Sequence, residues 1–127
     1  MNTLRTAAAT LALAVLSSSV VPAVAAPIAA SKSFDGGWSV LIVTEKGTCD
    51  RAYRYPVKIE NGAVGYAGTA SFNVTGKVGA NGAVTVTVSR GDKSATGTGR
   101  MSGTDGAGTW SAASGECSGT WTAERRS

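Results

Sequence analysis

CSGTWTAERR, residues 117–126, stops one residue before the 127-residue sequence does. Large and small side chains alternate in it. Gly119 and Trp121 fall on one face, Thr120 and Thr122 on the other, the period-two pattern of a half-buried strand. The stretch raises two questions. Its cysteine needs a partner, and a strand in this position must pair with something or leave an edge open.

Upstream, alternation with period two recurs from Trp38 onward, punctuated by Gly, Asn and Asp about every ten residues, the all-β signature. The first strand is WSVLIVTEK, 38–46. The second, YRYPVKIE, 53–60, puts Tyr53, Tyr55, Val57 and Ile59 on one face. Asn61-Gly62 then forms a two-residue type I′ turn, which needs positive φ at both positions. That turn pairs Ile59 with Val64 and Val57 with Tyr66, apolar to apolar, so turn and pattern agree on register. Phe72, Val74 and Val78 line one face of SFNVTGKV, 71–78. Only a three-residue loop over 80–82, with Gly82 left-handed, sets Val78 against Val84 and Val74 against Val88 on the next strand, 83–90. Gly91-Asp92 turns into the sixth strand and sets Val88, Val86 and Val84 opposite Ala95, Gly97 and Gly99. Asp105-Gly106 is expected to turn next, with Met101 opposite Trp110. Gly115-Glu116 is expected to make the last turn, with Trp110 opposite Trp121.

Eight short-connected strands predict an up-and-down meander, closed into a barrel by the eighth strand lying antiparallel to the first. Closure brings Cys49, just past the first strand, to Cys117, at the start of the eighth. A Cys49–Cys117 disulfide would fasten that seam across about 70 residues, worth roughly 3–5 kcal/mol in the chain-entropy model. A β-sandwich carrying the same disulfide is the structural alternative.

The start of the chain reads as a secretory signal peptide over 1–25: Arg5, an apolar run over 7–16, then Ala23-Val24-Ala25 as a small-x-small cleavage site. Residues 26–36 are read as a flexible mature N-terminus and 37–126 as a single barrel domain. An exported protein, periplasmic or extracellular and with no membrane attachment after cleavage, is expected. Two cysteines in such a chain most simply form one disulfide. Without Arg5 the net charge falls from +4 to +3. The basic residues are scattered, without the concentrated stripe that nucleic acid requires. A monomer is expected.

Closure also sets Gly36-Gly37-Trp38 beside Arg125-Arg126. That pairing resembles the calycin superfamily, the lipocalins and avidin-like proteins, whose barrels often begin Gly-x-Trp. The resemblance implies a structural seam in which Arg125 packs over the Trp38 ring. Later lipocalin motifs and an avidin-like biotin site are missing. The segments FDGGWSVLI, GTCDRAYRYPVKI and GTWSAASGECSGTWTAERR are similar to a group of small exported proteins of alphaproteobacteria with no assigned activity, so no functional residue carries over.

Histidine is absent, which removes the commonest general base and metal ligand. No metal site, cofactor or enzymatic activity is expected. Asp50, Asp92, Asp105 and Glu116 fall at turns; Asp50 and Glu116, each beside a cysteine, are the one pair that closure could join as an acid and a base. The inward face is more informative. Tyr53, Tyr55, Tyr66, Phe72, Trp110 and Trp121 share it with Val57, Ile59, Val64 and a wall of Gly and Ala. Bulky side chains facing glycines fill a barrel, and a filled core is the default expectation. Eight strands also lie at the size that can hold one small ligand, and those six aromatic residues are its candidate site, with tyrosine hydroxyls as polar handles. The outward face is rich in Ser and Thr, as solvated antiparallel strands are. Asn73-Val74-Thr75 is a chance glycosylation triplet. The expected function is that of a small exported binding protein for a small apolar ligand. The alternative is a periplasmic inhibitor or adhesion module that binds a macromolecule through its loops.

Overall fold

The structure is a computed structural model that describes residues 12–17 and 32–127. The cleavage site over 23–25 lies outside the described residues. Eight strands follow one another: β1 Gly36–Lys46, β2 Ala52–Glu60, β3 Ala63–Tyr66, β4 Asn73–Val78, β5 Ala83–Arg90, β6 Lys93–Ser102, β7 Asp105–Ala112 and β8 Ser118–Arg125. All pairs are antiparallel and sequential, and β8 returns to β1 to close one barrel rather than a two-sheet sandwich. Closure leaves no strand edge at the seam, where Trp38 pairs with Arg125 and Ile42 with Trp121.

Turn chemistry sets the first registers. Asn61 and Gly62 both have positive φ, 50° and 76°, and the pairs Ile59–Val64 and Val57–Tyr66 form. Gly82, at φ 84°, ends the three-residue loop that sets Val78 against Val84. Val84, Val86 and Val88 face Gly99, Gly97 and Ala95.

The next two turns differ from expectation. Asp105-Gly106 is not a turn: Asp105 pairs with Ser102 and Gly106 with Met101, and the chain reverses at Gly103-Thr104. Gly103 takes φ 59°, which a side chain would resist. Nor do Gly115-Glu116 form a two-residue turn. The Ala112 amide donates to the Cys117 carbonyl, closing a longer connection in which Gly115 has φ 78°. Trp110 therefore faces Gly97 and Gly119 rather than Met101 and Trp121, and Trp121 faces Gly108. Both slips are even, so every side chain keeps its face while each indole gains a glycine opposite it in place of a bulky residue. Two indoles directly opposed would compete for the same volume.

One end of the barrel is packed shut. Trp38 (2% exposed), Ile59, Val78, Met101 and Ala123 form its floor, with Phe34 folded beneath. Thus residues 32–36, read from sequence as the end of a flexible segment, are tied to the barrel. The Trp38 indole N–H donates to the Phe34 carbonyl at 2.8 Å. The Asp35 carboxylate accepts from the amides of Asn61 and Gly62 at 2.8 and 3.1 Å, holding the β2–β3 turn.

The barrel wall is weakest between β3 and β4, where only Ala63–Lys77 and Val64–Gly76 pair. Beyond them β3 stops at Tyr66 and residues 67–72 bridge the gap. This explains a proline within β2. The Ala67 amide donates to the Pro56 carbonyl, so the missing Pro56 N–H falls on the side where β3 has already ended.

Candidate functional site

The other end is open. A cavity of about 620 Å³ runs from the floor to a mouth formed by the β1–β2, β5–β6 and β7–β8 connections. The filled core expected by default is therefore found only at the floor. The volume is within the range of small-molecule sites.

The space follows from how the two tryptophans are placed. Trp121 lies flat across β6 and β7. A methyl group on Gly99 would come within 2.6 Å of its ring, one on Gly108 within 2.7 Å of its Nε1, and one on Gly106 within 3.3 Å of the ring. The glycines of these strands bring the indole against the wall, and the room left beside it is lined by Val40, Ile42, Val57, Val86 and Val88.

Of the six aromatic residues expected at a ligand site, Tyr53, Tyr55, Phe72, Trp110 and Trp121 line this cavity. Tyr66 does not. It shares the inward face with Val57 but packs against the core edge-on to Phe72, with ring centroids 5.5 Å apart, and to Tyr55 at 6.5 Å. It belongs to a cluster in which Tyr53–Tyr55 and Tyr55–Phe72 centroids are 4.4 and 5.0 Å apart. This cluster stands where β3 and β4 part and covers the gap left by the missing ladder.

Polarity is graded along the axis. All three indoles that line the cavity have spent their N–H groups on the backbone, Trp38 on the Phe34 carbonyl at 2.8 Å, Trp110 on the Val43 carbonyl at 3.0 Å and Trp121 on the Thr98 carbonyl at 3.2 Å. Among the described residues no buried side-chain nitrogen or oxygen lacks a partner. The deep wall therefore offers apolar contact and no free indole N–H. Polar groups gather at the mouth: the Tyr53 ring, 38% exposed, then Ser89, Ser94 and charged side chains. Burial, above all, raises the Tyr55 phenol above its usual pKa. The Tyr53 and Tyr66 phenols add to this, Arg90 opposes it, and Asp50 adds slightly. Tyr55 is thus a neutral hydroxyl at physiological pH.

Cys49 and Cys117 are joined, across a sequence separation of 68 residues. The bond holds the β1–β2 connection against the start of β8, and Asp50 and Glu116 both reach the mouth beside it. At the closed end the Arg125 guanidinium lies 4.8 Å from the centre of the Trp38 ring and donates to the carbonyls of Asp35 and Ser33, both at 2.6 Å. The Trp38–Arg125 pair plugs the floor from outside and touches no ligand space from the arginine side.

Sequence reasoning did not single out Val40 and Ile42, because Leu41 and Val43 make both faces of β1 apolar. Nor did it single out Arg90, whose guanidinium sits 5.2 Å from the centre of the Phe72 ring. Among the described residues no cluster of His, Cys, Asp or Glu could hold a metal ion. No family model, curated protein or solved structure matches the chain.

Proposed function

We propose that the protein is an exported, non-enzymatic carrier that holds one small, largely apolar ligand inside the barrel. One observation carries the reading: a 620 Å³ cavity whose deep wall is apolar and whose indole N–H groups are already satisfied. A polar ligand atom placed at that depth would lose its water and gain no partner, a cost of a few kcal/mol. Burying an apolar group there gains about 25 cal/mol per Å². The formed disulfide supports an oxidising compartment, periplasm or medium. The outer wall of β5–β8 presents Thr85, Thr98, Thr109 and Thr120 in one row across four strands, the character of a barrel in water rather than in lipid.

Native mass spectrometry of protein purified from an oxidising periplasm tests this reading. The expected result is a mature mass lacking residues 1–25, two hydrogens lighter for the disulfide, with an added mass that leaves on denaturation. If protein emptied by denaturation and refolding takes up no member of a panel of apolar small molecules, the carrier reading is wrong. The alternative, a macromolecular partner at the loops, then becomes the one to pursue.

A further inference from the structure

The rim carries charges that an apolar ligand alone does not use. Asp50, Arg90, Asp92, Lys93 and Glu116 all border the cavity and all are exposed. Among the described residues the ion pairs are Lys58–Glu60 and Arg126–Glu124, and neither includes a rim residue. Opposite charges therefore surround one opening without neutralising each other.

Topology sorts them. In a barrel closed in sequence order, the β5–β6 turn stands across the mouth from the β1–β2 connection. The first carries Arg90 and Lys93, paired across the hairpin with Asp92 between them. The second carries Asp50, and the Cys49–Cys117 bond draws Glu116 to the same side. Counting the residues that line the cavity, one side of the rim is net basic and the other is acidic; Arg51, next to Asp50, is exposed and is not among them. Tyr53 and Tyr55, early in β2, follow Asp50 and touch the Phe72 ring on which Arg90 sits, and tyrosine faces favour cations.

We propose that the ligand is a zwitterionic amphiphile of the phosphocholine type. Its single apolar chain fills the barrel, its quaternary ammonium lies against Asp50, Glu116 and the Tyr53 ring, and its phosphate lies against Arg90 and Lys93. A lone anion meets one side of the rim and is repelled by the other; a lone cation does the reverse. This inference rests on the reading of the cavity as a ligand site.

Tryptophan fluorescence titration of the intact disulfide-bonded protein, below micellar concentrations, tests it with three amphiphiles of one chain length: dodecylphosphocholine, dodecanoate and dodecyltrimethylammonium. Dodecylphosphocholine is expected to bind about tenfold more tightly than the other two, since exposed ion pairs each contribute a few-fold. The double variant Asp50→Asn, Glu116→Gln should weaken the phosphocholine and the ammonium a few-fold and, by removing the repulsion, tighten dodecanoate. Lys93→Gln, which spares the Arg90–Phe72 contact, should weaken the phosphocholine and dodecanoate and, by removing the repulsion, tighten the ammonium. Equal affinities that the variants do not alter, or tighter binding of dodecanoate than of the phosphocholine, would overturn the zwitterion proposal and leave the carrier reading intact. No binding of any of the three would also overturn the zwitterion proposal, and the carrier reading then stands or falls with the apolar panel.

Discussion

Gly108 shows how one absent side chain shapes the interior. A Cβ there would run into the Thr98 carbonyl oxygen and come within 2.7 Å of both Gly99 Cα and Trp121 Nε1. Two of these are backbone atoms and cannot swing aside. Gly108→Ala is expected to lower the unfolding free energy by about 1–3 kcal/mol, the range for overpacking. Urea denaturation followed by tryptophan emission measures it; a midpoint equal to the parent protein's would mean that Trp121 does not lie against this wall. Tyr55 gives a second prediction at this scale. Its folded-state pKa is raised, chiefly by burial, so the folded state holds the phenolic proton more tightly than the unfolded chain does. Its stabilising contribution is whole below the unfolded-state tyrosine pKa, near 10, and is lost as pH rises through the folded-state value. Tyr55→Phe should therefore lose less stability than the parent between neutral pH and the alkaline range. Thermal melts of both proteins across that window check the sign.

Hairpins differ in how plainly sequence announces them. Asn61-Gly62 names its own turn, and the valines on both sides accept only one register. The β4–β5 loop was legible for a similar reason, because the two-residue alternative would set Val78 against Thr85. Asp105-Gly106 offers the same turn dipeptide as a decoy. Its competitor, Gly103-Thr104, shifts the ladder by an even step, so in-and-out alternation cannot tell the two apart. What decides is volume: Trp110 goes opposite Gly97 and Gly119, a match made across three strands and invisible within one hairpin. The β7–β8 connection answers instead to the disulfide at its end. Removing that bond by Cys49→Ser, Cys117→Ser should cost about 4 kcal/mol of unfolding free energy in the chain-entropy model and leave the far-ultraviolet β spectrum in place, since the β1–β8 ladder remains. A loss below about 1 kcal/mol would show that the ladder alone constrains the seam.

Across the whole molecule, strand order, closure and the disulfide were readable because each follows from pairwise rules. The cavity was not. Whether inward side chains fill a barrel depends on their summed volume against a radius that only the closed structure has. Five of the six aromatic residues expected at the site do face the space, and Tyr66 was lost to it because the wall opens between β3 and β4, an irregularity without a period. Closure by β8 has a further consequence, for the encounter of two copies. Until β8 docks, β1 and β7 are both open edges, and β8 of a second chain fits them as well as the chain's own. Exchange of β8 would carry Cys117 with it, so the Cys49–Cys117 bond would then join two polypeptides. The staple that secures the monomer would equally lock a strand-swapped dimer, one that dilution could not separate and only a reductant would release.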